Sequence, residues 1–350
     1  MLGIIMAGGQ GTRLYPLTAN RPKPLVEVLG RPVIDYVKDA MKHSGVEEVI
    51  VTTGYKGEML NDLIETWVSD DGLVASVNKE ETPMGTAGSV GLLRDRISQT
   101  FIVGSGDSII SSDIEQLIKA HVNSKAKVTI ALWEVDDPTQ FGIVGLSSKQ
   151  GGEIDGDLES GFVCQFLEKP SIEEAFSNVI NAGLYIIEPE ILEHIPKDTK
   201  YDFSKELFPK LLSQDIPIFG KKLDGVWFDV GTPSELIRSQ IELIKQRDSL
   251  PFDLPSGKIV GGNNFVFEGS NTPDNMDGSV ISTNVSCDGP LTMINSLLME
   301  NSKIGKNVEI AGTIVGRNVT IGDNCKIIDC VIGDNVEILS SQYLIGQLID

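Results

Sequence analysis

The sequence predicts an α/β protein in two parts: a Rossmann-like, mostly parallel sheet with flanking helices, then a parallel β-solenoid. Three observations predict it. Short β-branched runs alternate with helical periods over residues 1–248. The stretch SLPFDLPSG (249–257), with two prolines and a glycine, interrupts that pattern as a linker. The remainder, 258–350, carries a repeat of 17 residues.

The strands of the first part are LGIIM, EEVIVTTG, LVASVNKE, TFIVGSGD and KVTIALWEV. Between the first two, Val33, Ile34, Val37, Ala40 and Met41 fall on one helical face, and Gly45 supplies a stop. Asp113, Leu117, Ile118 and His121 mark another helix, with Asp113 near its start. SELIRSQIELIKQR is a third, just before the linker. Strands alternating with helices mean βαβ units and a parallel sheet, which binds ligands at the carboxyl ends of its strands.

In the second part, residues 303–319 (KIGKNVEIAGTIVGRNV) and 320–336 (TIGDNCKIIDCVIGDNV) agree at seven of 17 positions. Ile304, Ile310, Val315, Ile321, Ile327, Ile332 and Ile338 are spaced 6, 5, 6, 6, 5, 6, and glycine follows four of them. No helix uses that spacing. Three short extended segments separated by turns do, with each coil stacking its aliphatic residues on the next, triangular in section. Met276, Ile281, Met293 and Leu298 echo the pattern upstream. The open ends of a solenoid invite packing on another chain, so a homo-oligomer through this domain is expected.

Composition bounds the function. With 41% apolar and 23% charged residues over 350 positions, the chain is an ordinary globular protein. A net charge of -21 argues against nucleic acid and anionic membrane surfaces as partners. Cys164, Cys287, Cys325 and Cys330 fit neither a metal motif nor a disulfide framework. No leader-like or 18-residue apolar segment occurs, and a cytoplasmic location is expected.

Against this acidity stands MAGGQGTRLYPLTANRPKPLVEV (6–28). Between Gln10 and Pro32 there are four cations, Arg13, Arg21, Lys23 and Arg31, and one acid, Glu27. Gly8, Gly9 and Gly11 follow a strand, where backbone N–H groups can form a nest for an anion. The motif is neither a P-loop, since no Lys-Ser/Thr pair follows, nor the dinucleotide fingerprint, since Leu14 stands where the third glycine belongs. Pro22 and Pro24 fix the backbone around Lys23, so that lysine loses less entropy on binding.

GGQGTRLYPLTANRPKPLVEVLGRPVIDY resembles the signature of the NDP-sugar pyrophosphorylases, which join an NTP and a sugar 1-phosphate and release pyrophosphate. The resemblance runs over roughly residues 2–245 and continues into a solenoid like the left-handed β-helix that many members carry. It implies that Ala7, Gly8, Gly9, Gly11 and Thr12 bind nucleotide and that Arg13 and Lys23 are catalytic. Asp107 in FIVGSGDSII and Asp229 in GVWFDVGTPSEL resemble the family's two ligands for Mg²⁺, a hard cation that takes carboxylate oxygens. EETPMGTAGSV resembles the loop that reads the base through Gly85, Thr86 and Ala87. In CQFLEKP, Glu168 would accept sugar hydroxyls and Lys169 would hold the sugar phosphate. Gly142, Asn181 and Gly183 would complete the sugar pocket.

The wording GTAG favours GTP with mannose 1-phosphate; glucose 1-phosphate with dTTP or UTP is the alternative. A non-catalytic subunit that binds a nucleotide sugar is a second reading, opposed by the presence of Arg13, Lys23, Asp107 and Asp229. Acyl transfer on the solenoid is a third, opposed by the lack of any histidine after His194. His43 and His121, like His194, fall in no motif, and the ionised sugar phosphate needs no general base.

Overall fold

The computed structural model describes residues 1–156, 158–273 and 275–350. The chain divides into two compact units, residues 1–8 with 34–227, and residues 9–33 with 228–350.

In the first unit the strands are β1 (Leu2–Ala7), β2 (Glu48–Thr53), β3 (Val74–Lys79), β4 (Phe101–Ser105), β5 (Val128–Glu134), β6 (Gly142–Ser147), β7 (Ser160–Glu168), β8 (Val179–Ile187) and β9 (Ile218–Lys222). They form one sheet in the order β3-β2-β1-β4-β8-β5-β9-β7-β6. All five strands read from the sequence are present. The run β3-β2-β1-β4 is parallel, as is β5 with β9. Its crossovers are the helices α1 (Val33–His43), α2 (Asn61–Ser69) and α3 (Gly85–Gly91). Beyond β4 the sheet turns mixed: β8 runs antiparallel to β4 and β5, and β7 antiparallel to β6 and β9. Among the described residues no helix lies between β6 and β8, and antiparallel neighbours need none.

Local chemistry sets the helix ends. Met41 and Val37 are fully buried on the inner face of α1, and Gly45, at φ +82°, turns the chain after it. Asp113 caps α4 (Ile114–Ser124) by accepting from the Glu115 N–H at 2.8 Å. His121 on α4 packs between the Thr129 hydroxyl, 2.8 Å, and the Glu188 carboxylate, 3.0 Å. At the start of α5 (Phe208–Ser213), Phe208 packs with Phe203 and Tyr185 in the core as a cluster of tilted and edge-on rings. The four cysteines are free. Among the described residues no helix is long and apolar enough to cross a membrane.

The second unit holds α6 (Pro233–Lys245), whose cap Thr232 accepts from the Glu235 N–H at 3.2 Å, and the solenoid. The solenoid is a parallel β-helix of three sheets in 17-residue register. One side reads Val280, Leu297, Ile314, Val331, Leu348. A second reads Met276, Met293, Ile310, Ile327, Leu344, and the third Cys287, Ile304, Ile321, Ile338. SSQYLIGQLID forms its last coil. Asn284, Asn301, Asn318 and Asn335 hold left-handed backbone at one corner, and the Asn318 amide donates to Asn335 at 3.1 Å. That asparagine column is a feature the hydrophobic spacing does not reveal.

The compact units follow packing rather than the linker at 249–257. The Leu29 N–H donates to Gln240 of α6 at 3.1 Å, and Gly30 lies against Phe267 of the solenoid's first coils. The segment 9–33 and α6 therefore group with the β-helix.

Ile327 is fully buried in the middle of its column. Ile327→Ala should lower unfolding free energy by about 2–5 kcal/mol, read from the urea midpoint. A loss under half a kilocalorie would contradict the stacked core.

Candidate functional site

Because β3, β2, β1 and β4 run parallel, their carboxyl ends share one edge of the sheet. Ala7 ends β1 opposite Thr53. Gly8 follows, close to Gly54 after β2 and Glu80 after β3: a Cβ on Gly8 would stand 3.7 Å and 3.6 Å from them. Asp107 leaves β4 at the same edge, where its carboxylate accepts from the Ser105 hydroxyl. The Gly106 N–H donates to the Met6 carbonyl at 2.9 Å and ties that turn to β1. The structure thus brings Ala7, Gly8 and Asp107 to one edge, together with Glu80, which the sequence reading passed over.

The loop at 85–87 and the candidate residues between 168 and 183 are joined by a segment that the reading also missed, Tyr201 to Ser204. Gly85 has φ +73°, and a Cβ there would stand 2.6 Å from the Tyr201 carbonyl oxygen, so this position requires glycine. The Thr86 hydroxyl donates to Asp202 at 3.0 Å and accepts from the Phe203 N–H at 2.9 Å. With its hydroxyl so engaged and Ala87 fully buried in the core, this loop has backbone rather than side chain left to offer. Asn181 donates to Ser204 at 3.1 Å and to the Tyr185 hydroxyl at 2.9 Å, and accepts from the Gly183 N–H at 2.9 Å. Those bonds bridge the register shift in β8 between Asn181 and Tyr185. Gly142 leaves room for Glu168, since a Cβ would sit 2.8 Å from its Oε2.

Lys169 follows Glu168 with φ +49°, a left-handed backbone held by its N–H to the Phe141 carbonyl at 2.8 Å. Non-glycine residues in that region cluster at functional positions. Burial pushes the Glu168 carboxyl above the ordinary carboxylate range, and the charge on Asp202 adds to it. Lys169, Lys205 and the Ser204 hydroxyl oppose that shift. Asp202 carried one readable signal: an acid before a helical period. It caps the turn at Phe203–Leu207 by accepting from Ser204 and Lys205.

The second unit gathers the other candidates. Gly9 and Gly11 lead into a 3₁₀ turn, Thr12–Leu14, which Leu14 anchors by full burial. Gly11 has φ +65°, and a Cβ there would stand 2.9 Å from that of Lys23. Glycine therefore lets the two halves of the signature lie against each other. Lys23 opens a second 3₁₀ turn, Lys23–Leu25, with Pro22 before it and Pro24 within it. Its side chain is 8% exposed, and its ammonium lies 3.2 Å from Asp229. A buried ammonium requires such a counter-charge. Arg13, 57% exposed, reaches the other Asp229 oxygen at 3.9 Å. The structure so brings together Arg13, Lys23 and Asp229, the last two of which lie 206 residues apart in sequence. Among the described residues no group of three or more His, Cys, Asp or Glu side chains gathers as a metal cluster.

Comparison with known proteins gives this geometry a context. Residues 2–246 match the family described as nucleotidyl transferase, and residues 262–347 match a GlmU-like, C-terminal hexapeptide family. The chain is 31% identical over 328 residues to a protein of Oryza sativa subsp. japonica named probable mannose-1-phosphate guanylyltransferase 3, covering 90% of this chain and 86% of that one. It is 29% identical over 325 residues to mannose-1-phosphate guanylyltransferase 1 of Arabidopsis thaliana, again covering 90% and 86%. A Bacillus anthracis structure, assigned as a glucose-1-phosphate thymidylyltransferase and solved with sucrose, shares the fold at a TM-score of 0.59. That likeness is 24% in sequence and covers 69% of this chain and 94% of the other.

The raised Glu168 pKa has a measurable consequence. The folded chain holds this proton more tightly than the unfolded chain, so its stabilising contribution is full below the unfolded-state value. It is lost as pH rises through the raised folded value. Thermal melts across that interval should show a decline that Glu168→Gln lacks; equal slopes for the two proteins would contradict the burial argument.

Proposed function

Because the chain belongs to the nucleotidyl transferase family, we propose that it joins GTP and mannose 1-phosphate to give GDP-mannose and pyrophosphate. The observation that carries this reading is the likeness to guanylyltransferases over 90% of the chain, through both family matches. In the reaction, a phosphate oxygen of the sugar 1-phosphate attacks the α-phosphorus of the NTP, and the bond to pyrophosphate breaks opposite it. No proton need be removed, since the attacking oxygen is already ionised. The protein's share is positioning and charge stabilisation.

The residues divide that work. Backbone N–H groups from Gly8 to Thr12 cradle the triphosphate, and Arg13 and Lys23 offset its charge. Backbone at Gly85, Thr86 and Ala87 reads the guanine. Lys169 holds the sugar phosphate, while Glu168, with Gly142, Asn181 and Gly183 shaping the pocket, accepts sugar hydroxyls. Asp107 and Asp229 are the carboxylates proposed for Mg²⁺: hard oxygen donors suited to it, with phosphate and water completing its shell. The ion would neutralise charge on the phosphates. A cytoplasmic location suits an acidic chain with four free thiols, and assembly into a homo-oligomer through the β-helix suits its exposed end residues Leu339, Tyr343, Ile345 and Leu348.

A non-catalytic nucleotide-sugar-binding role fits less well, since Arg13, Lys23, Asp107 and Asp229 are all in place. Acyl transfer on the hexapeptide part lacks a histidine base, as none follows His194.

Pyrophosphate release from four NTPs, each with mannose and glucose 1-phosphates, tests the reading. GTP with mannose 1-phosphate should give a kcat/KM at least ~10-fold above any other pair, about 1.4 kcal/mol of discrimination. Chelation should abolish turnover and added Mg²⁺ restore it. Lys23→Met should cost ~10²–10³-fold in kcat/KM, the usual scale for one preorganised charge donor. Near-full activity of Asp107→Asn would remove the metal assignment; a preference for dTTP or UTP with glucose 1-phosphate would replace the substrate.

A further inference from the structure

Glu300, Arg317 and Asp334 stand 17 residues apart, at the same corner of three successive coils, each just before a left-handed asparagine. They form a column of alternating charge. The signature segment presents the complementary pattern to it. The Arg21 guanidinium donates to the Asp334 carboxylate, and both side chains are largely buried, 6% and 12% exposed. The Arg317 guanidinium donates to Glu27 and lies 3.2 Å from Glu300. Asp334 is itself fixed to the column, accepting from the Arg317 N–H at 2.9 Å. Two further contacts extend the seam: the Tyr15 hydroxyl donates to Asp350 at 2.8 Å, and Pro16 lies against Gly333.

The placement of these pins along the segment is what matters. Arg21 precedes Lys23 by two residues and Glu27 follows it by four, so the pins bracket the turn Lys23–Leu25 on both sides. Arg21 Nη1 is buried with no hydrogen-bond partner, which makes the guanidinium lean on Asp334. A buried charge stripped of its counter-ion is costly enough to move the chain that carries it. A displacement of about 1 Å in a positioning group costs on the order of 10²-fold in rate.

We infer that the β-helix serves the transfer reaction through the signature segment, with Asp334 and Arg317 as positioning residues that hold the Lys23 turn in register through Arg21 and Glu27. The inference rests on the proposed role of Arg13 and Lys23 in binding the NTP. Neither Asp334 nor Arg317 touches substrate. Their effect passes through the segment they pin, so the sugar-phosphate residues Glu168 and Lys169 are untouched by it.

Backbone amide exchange on the full-length chain, paired with steady-state kinetics using GTP and mannose 1-phosphate, tests this. In Asp334→Asn, exchange over residues 12–26 should quicken at least ~10-fold while strand Leu2–Ala7 keeps its protection. The same variant should lose at least ~10-fold in kcat, with the KM for mannose 1-phosphate within twofold of the parent. Arg317→Gln, at a more exposed position, should repeat both changes and carries the test if Asp334→Asn does not fold. Unchanged exchange in the variants, or faster exchange with kcat within twofold of the parent, would overturn the inference. If the parent itself turns over no NTP, the proposed function is what fails, and the exchange data still judge the pins.

Discussion

The pairing of Lys23 with Asp229 is the constraint on which the second unit's share of the candidate site depends. An ammonium at 8% exposure needs a carboxylate beside it, and here that carboxylate comes from the far end of the nucleotidyl transferase sequence, at 3.2 Å. The neighbouring features serve the pair. Gly11 lets the Lys23 turn approach the glycine-rich turn, the flanking prolines narrow the backbone, and a Cβ on Gly231 would stand 2.8 Å from Arg13. Of the signature's cations beside Asp229, Lys23 is buried and Arg13 is exposed, and these are the two proposed to meet a polyanion.

The solenoid's single period serves two purposes. Inside, Val, Leu, Ile and Met columns repeat every 17 residues and supply cohesion that no single coil could generate. Outside, the same period brings Glu300, Arg317 and Asp334 into a line, and the chemistry there is electrostatic. A scaffold with fixed coil spacing presents charges at fixed intervals. That makes it a suitable backing for a loop that carries the two cations proposed to bind the NTP.

Much of this was legible in the sequence, and the reason differs from element to element. The strands at Leu2–Ala7 and Glu48–Thr53, the face of α1 and the cap at Asp113 are local patterns, and local patterns are what a sequence displays. The β-helix was legible because its long-range contacts recur at a constant offset. The mixed half of the sheet was hidden, because nothing in β7 or β8 states which neighbour runs which way. Within the site, the cations of the signature announced themselves by contrast with the acidic whole. Asp202 and Ser204, which tie Thr86 to Asn181, did not, since each is an ordinary polar residue until the fold sets it between two motifs. The pins from Arg21 to Asp334 and from Arg317 to Glu27 span 313 and 290 residues, beyond any periodic reading.

The most direct measurement is a crystal structure of the chain grown with GTP and magnesium. The account predicts the triphosphate on the backbone of Gly8 to Thr12, with Arg13 and Lys23 turned onto its oxygens. A triphosphate bound elsewhere, with Lys23 making no contact to it, would contradict it.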